Sequence, residues 1–360
     1  MFVKGFLCMI KYKKKEFFMQ QKLSEGNLLN EKGELCECGY ATSLVKKYDR
    51  THIKANKWRI KEWDYYLIYN DDYGVAVTVD DNSYMGLNSF TLLDFKNKTE
   101  ITKSPMKFLT KGKTNFPPSS RIGDVRVSDK NYKFEVINNG KTRKIKVWIK
   151  NFSNKTDISA EFVLTDEPKE SMVIATPFKE NKKAFYYNQK IVGLKAKGKV
   201  VFGDQIINFD EPTRAILDWG RGVWTYKNTW YWGAAVGVVD GKEVGFNIGY
   251  GFGDTSAASE NMLFVDKKAH KIETVVFNIP KLKNKKEDFM SPWTFTSSDG
   301  RFEMDFVPVI DRHSNTDIII IGSNQHQVFG KFTGTMILDN GEKLQIKDFL
   351  GFAEKVVNKW

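Results

Sequence analysis

The feature that most narrows what this chain can fold into is a period-two alternation of apolar and polar residues that recurs along its length. Tyr132, Phe134 and Val136 alternate with Lys133 and Glu135. Ile145, Val147 and Ile149 alternate with Lys144, Lys146 and Lys150, and only Trp148 breaks the polar side. Phe302, Met304 and Phe306 alternate with Arg301, Glu303 and Asp305. Successive side chains of a strand point to opposite faces, so each run places one face in a core and the other in water. Between such runs stand Asn139-Gly140, Asp240-Gly241, Asp299-Gly300 and Asn340-Gly341, pairs that tolerate positive φ and close tight hairpins. No stretch keeps apolar residues at i, i+3, i+4 and i+7 for three turns. One turn is expected at Pro168–Met172, and under a fifth of the chain is expected to be helical. The class this predicts is all-β, built as antiparallel barrels or half-barrels.

At 360 residues the chain exceeds what one hydrophobic core usually serves, so two halves are expected. The polar, basic stretch Lys179–Lys199 lies near the middle and is the expected boundary. It divides the chain into an N-terminal β domain over 19–190 and a C-terminal β domain over 191–360. Residues 1–18 are expected to be a disordered extension, with Met19 as the working start. Their apolar stretch precedes the lysine cluster Lys11, Lys13, Lys14 and Lys15, the reverse of a secretory signal. No run approaches the roughly 18 apolar residues of a membrane span.

Cys8, Cys36 and Cys38 supply no disulfide framework, and a pair one residue apart with no second pair makes no ordinary zinc knuckle. Free thiols in a reducing, cytoplasmic setting are expected. His52, His270, His313 and His326 are not spaced to share an ion, so neither metal nor cofactor is expected. The net charge is +12, of which residues 1–18 contribute +4 through five lysines and one glutamate. The other lysines mostly alternate with apolar residues, which is a solvated strand face rather than a nucleic-acid patch.

The candidate functional stretch runs from Leu217 to Asn261. Residues 216–232 hold six aromatics and two glycines around Asp218 and Arg221. A buried carboxylate needs a partner, and Arg221, three positions on, is the expected one. Gly220 and Gly222 free the backbone to turn sharply or to let a ligand approach. On the functional reading Asp218 is a proton donor or acceptor poised by Arg221 in an aromatic pocket, with a raised pKa. On the structural reading the pair clamps a corner that Trp219 and Trp224 plug. Gly249–Gly253 resembles a nucleotide loop only superficially, because an apolar strand, not a helix, follows it. Glu260 and Asn261 are read as hydrogen-bonding either a ligand or a neighbouring loop. His326 opens an apolar strand beside two amides and is a further acid or base candidate. In Trp58–Tyr69, the alternation of Trp63, Tyr65, Leu67 and Tyr69 predicts a ring-lined strand face, as core or as pocket wall.

These blocks resemble a known family. Lys61-Glu-Trp-Asp-Tyr-Tyr66, Leu217-Asp-Trp-Gly-Arg-Gly-Val-Trp224, Thr229-Trp-Tyr-Trp-Gly233, Glu260-Asn261, His326-Gln-Val-Phe-Gly330 and Gly351-Phe-Ala-Glu354 with Trp360 look like the bacterial domain of unknown function numbered 2804. That family is distantly similar to the lipocalin-like group that contains carotenoid 1,2-hydratases. The resemblance implies tandem lipocalin-like barrels, a cavity for a hydrophobic ligand, and a strand at the chain's end.

Three functions follow as expectations. The first is binding of a lipid-like or isoprenoid-like small molecule inside a barrel, with acid-catalysed hydration or isomerisation. Asp218, Arg221 and His326 are then the catalytic candidates. Trp63, Tyr65, Trp219, Trp224, Trp230, Trp232, Glu260, Asn261, Gln327 and Glu354 are the binding candidates. Aromatic faces suit the cation that protonating an alkene creates. The second is carbohydrate binding or modification, in which Asp218 with Glu260 or Glu354 serves as a carboxyl pair. The third is a scaffold with a filled interior.

Overall fold

The computed structural model describes residues 20–318 and 321–360, so the expected extension over 1–18 lies outside the described residues. Among these residues the helical elements are two 3-10 turns, Arg50–His52 and Lys57–Arg59. The chain is all-β, as the alternation requires. The turn expected at Pro168–Met172 does not form, because Met172 opens a strand, Met172–Phe178, that pairs along Asn181–Phe202. Each Asn-Gly or Asp-Gly pair sits in a hairpin with its glycine at positive φ, and the ending is a strand, Lys343–Lys359.

Two curled antiparallel sheets hold most of the chain. The first contains β1 (Ile60–Tyr69), β2 (Tyr73–Asp81), β3 (Met85–Asp94), the short β4 (Met106–Phe108), β5 (Asn181–Phe202) and β6 (Arg214–Val223). β6 lies between β1 and β5 and pairs with both throughout its length. The second sheet contains β7 (Lys227–Val239), β8 (Lys242–Tyr250), β9 (Phe302–Ile318), β10 (Ile321–Ile337) and β11 (Lys343–Lys359). Its order runs from β8 through β7, β11 and β10 to β9.

The expected boundary at 190/191 falls inside β5, whose 22 residues belong to one sheet. The chain passes between sheets in the short link from Val223 to Lys227. A domain division at that link is our reading, since hydrogen-bonded pairing stops there. The basic composition of Lys179–Lys199 does not interrupt pairing because the exposed lysines, such as Lys182 and Lys183, stand at the strand's outer end.

Two cores follow from the alternation. Phe246, Phe302, Phe306 and Phe332 fill the concave side of the second sheet. A larger core includes the first sheet and reaches Phe329, Leu350 and Phe352 on the other face of the second. Tyr69 ties the sheets together. Its hydroxyl accepts from the Val236 amide at 2.7 Å and lies 3.1 Å and 3.2 Å from the Val236 and Leu350 carbonyls. Each such fully buried ring contributes roughly 1.5–3 kcal/mol of apolar burial.

Candidate functional site

A cavity of about 510 Å3 is lined by side chains of both sheets, from β1, β2, β3, β5 and β6 of the first and β7, β9, β10 and β11 of the second. That volume is ordinary for a small-molecule site.

Two cross-strand rungs form its centre. In the first sheet Thr78, Tyr65, Asp218 and Lys190 are successive register partners across β2, β1, β6 and β5. In the second, Trp232, Glu354, Gln327 and Arg312 are successive partners across β7, β11, β10 and β9. All eight line the cavity. The rungs touch where Tyr65 Oη donates to Gln327 Oε1 at 3.4 Å and where Lys190 Nζ lies 3.8 Å over the Trp232 ring.

The expected Asp218–Arg221 pair does not exist. The segment is a strand, not a corner, and residues three apart on a strand point to opposite faces. Asp218 pairs with Lys190 at 2.8 Å and accepts from Asn188 Nδ2 at 2.6 Å. Arg221 is fully buried on the other face. It donates to Asp64 at 3.0 Å, to the Trp63, Gly220 and Pro117 carbonyls, and covers the Phe116 and Trp219 rings. Burial pushes the Asp64 carboxyl up, and the Arg221 charge pulls it part of the way back. Trp219 lies on that packed face, edge-on to Tyr48 and Tyr187. Arg221 and Trp219 therefore stand outside the cavity.

Gly220 of the motif serves a neighbouring side chain. A Cβ on Gly220 would meet the Trp63 ring at 1.9 Å, so its absence lets that indole lie flat over the strand. Trp63 stacks on Tyr186 at 6.0 Å and meets Trp224 edge-on at 5.3 Å. Trp224, Trp230 and Phe252 continue the wall through edge-on contacts of 4.8–5.8 Å.

Five carboxyl groups line the cavity: Asp80, Glu100, Asp218, Glu260 and Glu354. Burial pushes Glu354 up to about 7, against the hydrogen bond from Trp230 Nε1 at 2.9 Å and the charge of Lys190. Its other oxygen accepts from Gln327 at 3.1 Å and Gln325 at 3.3 Å. Glu260 is raised by burial too, and its Oε2, like Trp224 Nε1, has no hydrogen-bond partner among the described residues. Asp218 is held by Lys190, and burial pushes Asp80, in β2, up to about 7 as it does Glu354.

The remaining expectations divide. His326 is not in the cavity: alternation turns it to the opposite face from Gln325 and Gln327. There its Nδ1 lies 2.7 Å from Asp311, and its ring stacks between Phe289 at 3.8 Å and His313 at 4.0 Å. Asn261 holds loops instead of lining the cavity, accepting from Gly249 N at 2.7 Å and donating to the Glu273 carbonyl at 2.8 Å. Trp63, Tyr65, Trp224, Trp230, Trp232, Glu260, Gln327, Glu354 and Asp218 all line it. Lys190, Tyr186, Phe252 and Arg312 line it as well and were missed. Arg312 carried a signal, since Arg312, Ser314 and Thr316 alternate along β9; Lys190 was hidden by its lysine-rich surroundings.

The chain is similar in fold to a putative AttH from Nitrosomonas europaea, with a TM-score of 0.54, 11% identity, and 88% of this chain and 98% of that one covered. It is also similar to kievitone hydratase from Nectria haematococca (TM-score 0.48, 10% identity, 83% and 88% covered). A third similar structure is CghA with Sch210972 (TM-score 0.42, 11% identity, 94% and 97% covered). At these identities the likeness concerns the fold alone. No curated protein sequence matches the chain. Residues 19–360 match the family described as Domain of unknown function (DUF2804), and the chain belongs to that family.

Proposed function

We propose that this DUF2804 chain binds a small apolar or amphipathic molecule between its two sheets and adds water to it, or shifts its double bond, by acid catalysis. The observation that carries this reading is a buried carboxyl, Glu354, pushed up to about 7 against a cavity walled by indoles. In this scheme Glu354 Oε–H gives its proton to one alkene carbon, and the other carbon becomes cationic. The faces of Trp230 and Trp232 and the negative charge of Asp218 stabilise that cation. Hydration follows when water adds to the cation and its surplus proton returns to Glu354. Isomerisation follows when a neighbouring C–H instead gives its proton back to the Glu354 carboxylate.

The test begins with native mass spectrometry of protein purified from its own host, which should show a bound small molecule. A clean apo mass there counts against the reading. With that ligand in hand, Glu354→Gln should lower turnover by about 10²–10⁴-fold, the usual contribution of a general acid, and wild-type kcat/KM should fall as pH rises through about 7. Turnover retained in Glu354→Gln would remove the acid role.

Thr78, Ser89, Thr102, Ser104 and Ser314 also line the cavity. That hydroxyl-rich wall favours an amphipathic ligand over a purely apolar one, and it supports carbohydrate binding as a second reading. A sugar that quenches indole fluorescence and is lost in Trp230→Ala would favour the second.

A further inference from the structure

We infer that β4, the loop that follows it and the 3-10 turn Lys57–Arg59 form a docking tip for the surface of an anionic lipid bilayer, set at the rim of the cavity. Four large apolar side chains are exposed there: Phe108 is 72% exposed, Leu109 57%, Met106 54% and Trp58 44%. A soluble surface carries exposed apolar residues singly, and a cluster of this size marks a contact.

The charges around the cluster select the partner. From Lys103 to Gly123 the sequence has four lysines, one arginine and no acidic residue, and Lys54–Lys61 contributes three lysines and Arg59 with no acid. Lys57, Lys107, Lys111 and Lys113 are exposed, and Lys111 Nζ lies 5.2 Å over the Trp58 ring. Apolar tips interleaved with lysines match a bilayer whose headgroups are negative: rings enter the acyl boundary while ammonium groups stay among the phosphates.

The backbone holds the tip in place before any contact. The carboxylate of Asp81, fully buried, accepts from Ser83 N at 2.9 Å, Thr110 Oγ1 at 2.7 Å, Gly112 N at 3.1 Å and Thr114 N at 3.3 Å. Leu109 sits at φ +57° and Lys111 at φ +51°. A branched residue in the left-handed region is strained unless its surroundings impose it, and here the strain turns the leucine out to solvent. Met106 belongs to both the tip and the cavity lining, so a membrane-borne amphipathic molecule would meet the mouth directly.

The experiment is co-sedimentation of the full chain with vesicles of phosphatidylcholine alone or mixed with phosphatidylglycerol. It requires no knowledge of the cavity ligand, so it stands or falls apart from the reaction proposed above. The wild type should partition onto the anionic vesicles and release as salt rises. The double variant Phe108→Ser/Leu109→Ser should keep the wild-type melting temperature, since both side chains are exposed, and bind at least about tenfold more weakly. Removing Lys107 and Lys111 (each →Ala) should weaken binding about fivefold per lysine at low salt. No binding to anionic vesicles, or binding that the Phe108/Leu109 double variant leaves intact, overturns the inference. Concentration-dependent self-association abolished by the same double variant, without vesicle binding, would assign the tip to a second copy of the chain and overturn it too.

Discussion

The two faces of β6 are built from alternate residues of one ten-residue segment, yet they meet opposite fates. On one face Trp219, Arg221 and Val223 are sealed among Tyr48, Asp64, Phe116 and Tyr187, with the two terminal nitrogens of the guanidinium donating to four acceptors. On the other, Asp218 looks across a cavity at Glu354 and Trp232, and Gly220 gives its space to the Trp63 ring. The same motif is therefore a clamp on one side and a wall on the other. The comparison teaches that a polar group's role is set by what the facing element does. Arg221 meets a strand and a loop that close on it, while Asp218 meets a second sheet whose curvature keeps it away.

If the faces differ in this way, removing a charge from each should have unequal results. Arg221→Met strands the buried Asp64 carboxylate and should destabilise the fold by about 3–5 kcal/mol, read by urea denaturation. A loss below about 1 kcal/mol would show that the sealed face is not a clamp. Gly220→Ala pushes a methyl into the Trp63 ring and should cost about 1–3 kcal/mol as overpacking. It should also weaken whatever the cavity binds; an unchanged melting temperature with unchanged indole fluorescence would contradict the contact.

The hollow face can be probed by pH. Glu354 rises from its ordinary 4.5 to about 7 on folding, so between those values the folded chain keeps a proton that the unfolded chain has lost. Stability contributed by that proton is full below about 4.5 and disappears as pH rises towards 7. Glu354→Gln has no such group, so it should lose less stability than the wild type over this window, by on the order of 1–3 kcal/mol. Asp80, also raised to about 7 by burial, is common to both proteins and cancels in the difference. Identical pH–stability slopes would refute the raised carboxyl. The smallest effect is expected for Asp218→Asn, about 1 kcal/mol, because Lys190 keeps the Trp232 face and the new amide oxygen can still accept from Asn188. A loss as large as that of Arg221→Met would erase the distinction between the faces.

Much of this was legible in the residues. The alternation at Tyr132–Val136, Ile145–Ile149 and Phe302–Phe306 matches burial position by position, because side-chain direction along a strand is a local property. Trp224, Trp230 and Trp232, with Asp218, Glu260 and Glu354, line the cavity. The Asp218–Arg221 pairing failed although the same alternation forbids it. Two glycines beside a tryptophan look like a corner, and what keeps that segment a strand is pairing on both sides, with β5 and with β1, which lies far away in sequence. His326 was misplaced by the same step, since Gln325 and Gln327 own the cavity side of β10.

Read alone, the chain determines its strands, their turns and which residues share a face, since these depend on neighbours within a few positions. Which face would be filled and which left hollow was decided only when the two sheets curved and packed. Curvature and inter-sheet fit sum contacts along strands distant in sequence, and only there does burial push Glu354 and Asp80 up.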